Sequence, residues 1–186
     1  MLALTILGNN SAIPAFGRNP TAQVLQMQDE YFLIDCGEGT QLQMTRYKIR
    51  RSKINHIFIS HLHGDHYFGL IGLITSMSLL NRTQDLHVYG PVDLEHIINF
   101  QLQVADTTLC FPLHFHAITE EGIIAEDIKF TVSSFAVRHR IECWGFLFRQ
   151  KKNPRSIDPI RANAYEIPSS FYEHLQKGED FVTRKG

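Results

Sequence analysis

A short histidine-rich segment directly after a predicted buried strand constrains this chain more than any other feature. Residues 54–60 are mostly apolar and β-prone, and they lead into His61–His66, which reads HLHGDH. Side chains two positions apart on an extended backbone point to the same face, so His61 and His63 can direct their imidazoles at one point. After the glycine turn, the pair Asp65–His66 begins the next helix in another direction.

These residue types at this spacing indicate a metal site. Two neutral imidazoles that converge suit zinc, with bonds of about 2.0–2.1 Å. A second pair displaced by a turn fits a second metal about 3.5–4 Å away, the spacing used for phosphoester hydrolysis. Asp65 beside a metal can also accept a proton from water. The alternative is a loop with ordinary hydrogen bonds, but four ligand-type residues in six positions favour metal.

Composition and charge exclude several classes of protein. The 186 residues are 44% hydrophobic and 20% charged with a net charge of −1, which predicts one globular domain and leaves any nucleic-acid case to a local patch. Three cysteines without a C-x-x-C spacing argue against a disulfide framework or a thiolate zinc site. The sequence shows neither a signal peptide nor an apolar run of the roughly 20 residues that span a bilayer. We therefore expect a cytoplasmic protein with no membrane partner.

The order of the predicted elements indicates an α/β layered fold, because strands and helices alternate from residue 30 to 105 and strands dominate afterwards. We predict strands at 2–7, 22–28, 31–35, 54–60, 86–89, 113–118, 128–135 and 144–149, and helices at 40–47, 67–80, 93–104 (with Asp93 as N-cap) and 169–176. The composition turns polar and basic after Arg149. We expect residues 1–150 to form the core and residues 151–186 to form an appendage.

Several segments together resemble a known family. The H-x-H-x-D-H motif after a strand resembles the signature of the metallo-β-lactamase superfamily, which lactonases and thioesterases share. Residues 33–41, which read LIDCGEGTQ, are similar to a much more specific segment of ribonuclease Z, the tRNA 3′-processing endonuclease. Residues 7–14, 57–66 and 88–91 are similar to it as well. The resemblance runs from residue 1 to about 180 and matches the N-terminal part of that family.

The resemblance implies a fold and a metal centre. The fold would be a metallo-β-lactamase-like αββα sandwich, of which this chain is expected to hold the N-terminal half and a protruding arm, without the second layer. His61, His63 and His139 would bind a first zinc ion, although His139 read alone at a strand end is more often structural. Asp65 and His66 would bind a second ion, and Asp65 would assist the nucleophilic water.

Of the remaining site residues that the resemblance implies, Asp35 lies in this chain and the others would lie after residue 186. Asp35 either orients a metal-bound histidine or caps a turn, and the sequence alone does not separate the two. The family completes its centre with a bridging aspartate, a last histidine and a leaving-group histidine near a glutamate, which we expect after residue 186. We therefore predict one zinc ion or none, and little nuclease activity, for residues 1–186 alone.

Basic residues supply the candidates for RNA contact. The run 46–53 holds five basic residues, which either bind phosphate or form a solvated helix end. Residues 14–19 resemble the family's P-x-K-x-R-N loop, with Phe16 in the lysine position. The candidates are Arg18, Arg46, Lys48, Arg50, Arg51, Lys151 and Lys152.

We expect the other histidines to have structural roles and not to bind metal. His114 and His116 alternate along a predicted strand, which favours a polar strand face over a metal pair. Neither His56 nor His87 has a partner pattern in the sequence.

Three functions remain open. The chain is an endoribonuclease that cuts the 3′ trailer of precursor tRNA, with a homodimer expected; or a small-molecule hydrolase acting on a lactone, thioester or phosphodiester; or a non-catalytic fragment that binds metal or RNA. The segment D-C-G-E-G-T-Q and the arm favour the first.

Overall fold

Among the residues that the structure describes, nine strands and four helices build the first of two units. The first unit ends at Arg149 and the second begins at Gln150. The computed structural model describes residues 2–13, 15–151 and 154–182. The strands are β1 Leu2–Gly8, β2 Ala22–Met27, β3 Glu30–Cys36, β4 Ile54–Phe58, β5 Leu86–Gly90, β6 Leu113–Ala117, β7 Gly122–Glu126, β8 Phe130–Ala136 and β9 Trp144–Gln150. The helices are α1 Thr40–Arg46, α2 Gly64–Tyr67, α3 Leu70–Leu79 and α4 Asp93–Val104, with a 3₁₀ turn at Arg51–Lys53.

The first sheet has the strand order β1-β2-β3-β4-β5-β6. Strands β1 to β3 run antiparallel to their neighbours, whereas β3 to β6 form a parallel set. Ile34 of β3 pairs with Phe58 of β4, so the two strands end side by side. Parallel strands place their carboxyl ends at one edge, where an open α/β sheet usually carries its site. The loops after β3 and β4 therefore meet there.

One face of this sheet packs against the helices. Its strands contribute Leu33, Ile57 and Val88, the residue after β4 contributes Ile59, and the helices contribute Met44, Leu73, Ile74, Leu94 and Ile98, all buried. A parallel strand covered on both faces reads as a continuous apolar run, and β4 with its flank Ile57-Phe58-Ile59 has that pattern.

The opposite face packs against a second sheet of order β7-β8-β9. Phe32 and Phe58 of the first sheet meet Phe130, Val132 and Trp144 of the second in one buried cluster. The prediction that the second layer would be absent is therefore wrong, because residues 122–150 supply three of its strands. The cover does not reach β1, whose Leu2 and Leu4 remain more than half exposed.

Two helix predictions need correction. The helix predicted at 67–80 is interrupted between α2 and α3 by Gly69, whose N–H donates to Cys36 O at 2.9 Å. A side chain there would collide with the backbone, since a Cβ would lie 2.2 Å from Gly37 O. Asp93 is the first helical residue and Val92 is the N-cap, so the Asp93 carboxylate acts on the helix dipole from inside the first turn. The sequence prediction also missed β7.

The second unit contains α5 Pro159–Ala164, a 3₁₀ turn at Ser169–Phe171 and α6 Tyr172–Lys177. Asp158 caps α5, because its carboxylate accepts from the N–H of Ile160 at 3.0 Å. Proline follows at the first helical position, a start signal that the sequence analysis overlooked. The 3₁₀ turn and α6 occupy the region predicted as a helix at 169–176. None of the described helices is long and apolar enough to cross a bilayer.

Candidate metal centre

The histidine segment lies at the carboxyl edge of the first sheet. After β4 the chain reaches His61, which is 5% exposed, and then His63, which is the N-cap of α2 and has an extended backbone with φ −77° and ψ 139°. Helix α2 then turns the chain, so that Asp65 and His66 leave from its first turn. The local geometry is the one that the i, i+2 spacing and the glycine predict.

Three imidazoles converge at this edge. His61 Nε2 lies 3.0 Å from His63 Nδ1, and His139 Nε2 lies 3.2 Å from the same Nδ1 atom. All three ligand atoms lie within 4.8 Å of one another, and the rings are steeply inclined, at 70–80° to each other. Three nitrogen donors directed at one point leave the fourth position of a tetrahedral ion open, as in catalytic zinc sites.

The chemistry of these donors fits a divalent metal. Burial, aided by repulsion from neighbouring His66, lowers the pKa of His61 to about 4, so its ring is neutral at pH 7. Metal ligation requires the neutral imidazole. The other ring nitrogen of His61, Nδ1, lies 2.9 Å from Ser60 Oγ, so a hydroxyl orients the ring from outside the centre.

Asp65 and His66 form a second donor pair. Asp65 Oδ2 lies 3.5 Å from His66 Nε2, and both side chains are less than one-fifth exposed. A zinc ion takes about four ligands including water. Within the residues that the structure describes, this pair supplies two of them, so it is the weaker half of the two-metal centre predicted from the sequence.

Asp35 links the two donor pairs, because it contacts His66 directly and His61 through Ser60. Its Oδ2 accepts from His66 Nδ1 at 2.7 Å and from Ser60 Oγ at 3.0 Å, and its Oδ1 accepts from the Ser60 N–H at 2.8 Å. Burial alone would lower the pKa of His66, but the hydrogen bond and charge of Asp35 outweigh it and raise that pKa. Asp35 has φ +56°, a left-handed conformation that aspartate tolerates. The structure therefore places Asp35 where it can orient a ligand histidine, although that role stays a prediction.

The glycines of the D-C-G-E-G-T-Q segment let its turn approach α2. A Cβ on Gly37 would lie 2.3 Å from the carbonyl oxygen of Asp65, so no side chain fits there. Thr40 Oγ1 donates to Gly37 O at 2.6 Å and holds the turn. Burial raises the pKa of the Cys36 thiol to about 12, which argues against a thiolate nucleophile.

Three residues around the centre were not predicted from the sequence, namely Ser60, Arg140 and Cys143. Arg140 Nη2 lies 3.0 Å from His63 Nε2, and Cys143 Sγ lies 3.7 Å from His61 Nδ1. The polar Ser60 directly after an apolar strand is a signal that the sequence offers. Arg140 and Cys143 come from the loop between β8 and β9, whose approach to His63 only the tertiary structure shows.

In the first unit, the RNA-contact candidates belong to two segments, the loop before β2 and the region around the end of α1. Arg18 Nη2 donates to Asn9 O at 3.1 Å, which ties its own loop together. Arg46 ends α1, and Arg51 begins the 3₁₀ turn with Lys48 and Arg50 just before it. Lys151 is described, whereas Lys152 and the Pro14 of the P-x-K-x-R-N resemblance lie outside the described residues. The role of all these residues stays a prediction.

Four further histidines line up across the face of the first sheet that meets the second. His56, His87 and His114 are paired in register on β4, β5 and β6, and His116 lies beside them; we call these four the histidine ladder. The ring of His87 stacks with the rings of His56 and His114, at centroid distances of 5.1 and 4.9 Å. His87 Nδ1 lies 3.0 Å from His116 Nε2. In the described part of the chain, the group of three or more donors with metal-binding geometry is His61, His63 and His139, and not the ladder.

Comparison with known proteins gives a family match and several relatives. Residues 2–151 match the family model of Anti-Pycsar protein Apyc1. A ribonuclease Z of Bacteroides thetaiotaomicron is 42% identical over 185 residues, which cover 98% of this chain and 58% of that protein. The crystal structure of human tRNase Z, short form (ELAC1), superposes with a TM-score of 0.74 at 30% identity and covers 88% of this chain and 73% of that one.

A more distant structure shows the fold alone. The metallo-β-lactamase fold protein YhfI from Bacillus subtilis superposes with a TM-score of 0.60 at 22% identity, over 78% of this chain and 56% of that one. The predicted metallo-β-lactamase-like fold is confirmed. The chain spans about three fifths of the length of the curated relatives that it matches.

Proposed function

Because the chain belongs to the Apyc1 family by its match over residues 2–151 and to the ribonuclease Z family by its similarity to human tRNase Z, we propose that it is a zinc-dependent endoribonuclease that removes the 3′ trailer from precursor tRNA. The observation that carries the proposal is the convergence of the His61, His63 and His139 nitrogens on one point. The names of the relatives support the choice of substrate.

The described residues would have different roles in metal binding, proton transfer and the orientation of the ligands. His61, His63 and His139 would hold one zinc ion, and Asp65 with His66 would contribute to a second. Bound zinc supplies positive charge to a phosphoryl oxygen and lowers the pKa of water. Asp65 would accept a proton from the attacking water. Asp35 would keep His66 in place directly, and His61 through Ser60, with hydrogen bonds of 2.7–3.0 Å.

The tRNA would be bound through its phosphates by the basic residues that the sequence singles out. These are Arg18, Arg46, Lys48, Arg50, Arg51, Lys151 and Lys152. Each phosphate contact releases counterions, so binding should weaken steeply with salt. We also propose that the enzyme is a cytoplasmic homodimer, and that its cysteines, which are free in the structure, stay reduced.

The test is a cleavage assay with two substrates side by side. A precursor tRNA with a 3′ trailer and the chromogenic diester bis(p-nitrophenyl) phosphate are offered to the chain alone. They are also offered to the chain joined to the part of the Bacteroides thetaiotaomicron relative that the match does not cover. His63→Ala removes a donor, and His96→Ala, an exposed residue on α4, serves as the control. We expect trailer cleavage by the joined protein that chelation abolishes and zinc restores.

Two other results would replace the proposal. Cleavage of the chromogenic diester without the tRNA would favour a small-molecule hydrolase. Zinc and RNA binding with no cleavage of either substrate by the joined protein would favour a non-catalytic module.

A further inference from the structure

Arg140 makes a contact with the metal centre that is incompatible with metal ligation. It follows His139 on the loop between β8 and β9, and its side chain is exposed. Its guanidinium Nη2 lies 3.0 Å from His63 Nε2. A guanidinium only donates, so His63 Nε2 must accept and the ring proton must sit on Nδ1. That proton then points to His61 Nε2, 3.0 Å away.

Ligation through the converging atom reverses this arrangement. Nδ1 of His63 is the atom that lies 3.0 Å and 3.2 Å from the other two ligand nitrogens. A nitrogen that binds an ion carries no proton, so the neutral ring must hold its proton on Nε2. An N–H at Nε2 would face the N–H groups of Arg140, donor against donor. The contact between Arg140 and His63 therefore has to break when a metal binds.

The freed guanidinium would be a cation at the rim of the centre. Within the described residues, no carboxylate forms an ion pair with Arg140. A guanidinium is charged at every relevant pH and presents a planar fork of donors that matches two oxygens of a phosphate. A phosphodiester that approaches the His61–His63–His139 point would come within reach of it.

We propose that Arg140 is a phosphate-binding residue that His63 holds in the metal-free protein and that metal ligation releases to the scissile phosphodiester of the RNA. The proposal rests on the proposed function, because it takes the same centre and the same substrate class. It adds a coupling between metal binding and phosphate binding. The Arg140–His63 contact opposes metal binding, and Arg140 becomes available to a phosphate only after the metal has broken that contact.

The first test measures the zinc affinity of the protein and the position of the ring proton on His63. Zinc affinity is determined by competition with a chromogenic chelator for the wild type, Arg140→Ala and Arg138→Ala, the exposed arginine on the other side of His139. Arg140→Ala should bind zinc about twofold to tenfold more tightly, the range set by one hydrogen bond. Arg138→Ala should stay within about twofold of wild type. Long-range ¹H–¹⁵N spectra should place the His63 proton on Nδ1 without zinc and on Nε2 with it.

The second test measures the affinity of the protein for a phosphodiester analogue. A dinucleotide with a phosphorothioate linkage, which resists hydrolysis, is titrated into the zinc-loaded and the metal-free protein. Loss of a charged hydrogen-bond donor should weaken its binding to zinc-loaded Arg140→Ala by about tenfold or more. Arg140→Lys should keep part of the affinity, because it retains the charge without the fork. The metal-free wild type and Arg140→Ala should bind the dinucleotide equally weakly.

The outcomes separate this inference from the proposed function. If the wild type binds zinc and Arg140→Ala changes neither the zinc affinity nor the dinucleotide affinity, the inference alone fails. A His63 proton on Nε2 in the metal-free protein would also overturn it. A wild-type chain that binds no zinc would overturn the inference and the proposed function together. A zinc-loaded joined protein that binds the dinucleotide through Arg140 but leaves precursor tRNA uncut would overturn the proposed function only.

Discussion

Histidines gather at two places in the first unit, at the metal centre after β4 and in the histidine ladder across β4, β5 and β6. Both contain two ring nitrogens 3.0 Å apart, His61 Nε2 with His63 Nδ1 and His87 Nδ1 with His116 Nε2. The ring centroids of the first pair are 4.8 Å apart and the planes are inclined at 80°. Those of the second pair are 5.3 Å apart at 29°.

The difference decides what each pair can bind. At equal nitrogen separation, the longer centroid distance means that the ladder rings point head-on, the geometry of an N–H···N hydrogen bond. An ion placed between them would need nitrogens about 4 Å apart, twice a zinc–nitrogen bond. In the metal centre the centroids are closer at the same nitrogen separation, so the two rings do not point head-on, and a third nitrogen, His139 Nε2, lies 3.2 Å from His63 Nδ1. Histidine count and spacing therefore matter less than the direction of the lone pairs.

The largest expected effect is the loss of a converging ligand. His63→Ala removes the nitrogen that lies next to both of the others. Zinc affinity should fall by more than about 100-fold, beyond the 10–100-fold that outer partners of a ligand contribute. His87→Ala, from the ladder, should leave zinc affinity within about twofold. Competition with a chromogenic chelator measures both, and an equal loss in His87→Ala would refute the distinction between the clusters.

Acid should act on the ladder through His56. Burial, with repulsion from His87, His116 and Arg82 and against attraction from Asp127, lowers the pKa of His56 to about 4. The unfolded chain binds the proton with an ordinary pKa of about 6.5, so unfolding takes up a proton between these values. Stability from this group is present above pH about 6.5 and is lost as the pH falls toward about 4. The loss is on the order of 2–3 kcal/mol.

The variant His56→Phe isolates that contribution, since it keeps a ring among Phe32, Phe130 and Tyr89 and cannot titrate. Urea unfolding in the presence of a chelator, at pH about 7 and about 4.5, should show a smaller loss of stability in the variant than in the wild type. Exposed His96→Asn is the control. Equal losses in wild type and His56→Phe would contradict the assignment.

Two carboxylates that each contact a histidine, one at the metal centre and one in the ladder, can be compared for their effect on zinc binding. Asp35 accepts from His66 at 2.7 Å, and Asp85 contacts His114 of the ladder at 3.0 Å. Asp35→Asn should weaken zinc binding by about tenfold or more, because the ligand histidines lose the carboxylate that orients them. Asp85→Asn should not change it. Metal content after dialysis against a fixed free zinc concentration reports the difference, and similar values for both variants would sink this interpretation.

The smallest effect is expected within the ladder itself. His116→Ala leaves the half-buried His87 Nδ1 without its hydrogen-bond partner and should lower the free energy of unfolding by about 1–2 kcal/mol. The exposed His114 contacts Asp85 at the surface, and His114→Ala should cost less than about 1 kcal/mol. Chemical denaturation of the two variants in parallel gives the comparison. A larger loss in His114→Ala would show that stacking outweighs the His87–His116 hydrogen bond.

The local parts of the metal centre could be predicted from the sequence. The apolar run before His61 and the glycine after His63 describe a strand and a turn. Backbone periodicity alone puts the two imidazoles on one side. The segment D-C-G-E-G-T-Q pointed to a family, and the structure supplies its physical reason in the close approach of Gly37 to Asp65.

Other features could not be predicted in this way. The strand β7, GIIAE, is short and gives no alternating pattern, so it was missed. The ladder depends on the register His56↔His87↔His114 across three strands that helices separate in sequence. The second sheet over Phe32 and Phe58 was expected to be absent, because the resemblance placed the second layer after residue 186, and the strands predicted at 128–135 and 144–149 carry no local sign of where they pack.

The sequence by itself determined the pair His61 and His63 and the turn to Asp65 and His66, because the dihedral preferences of a few neighbouring residues decide those directions. Only the tertiary structure decided that His139, 76 residues from His63, completes the convergence and that Asp35 reaches His66 from β3. It also decided that Arg140 contacts the outer nitrogen of His63. These contacts join distant segments, so they exist only once both sheets have packed and have fixed the loops at their carboxyl edge.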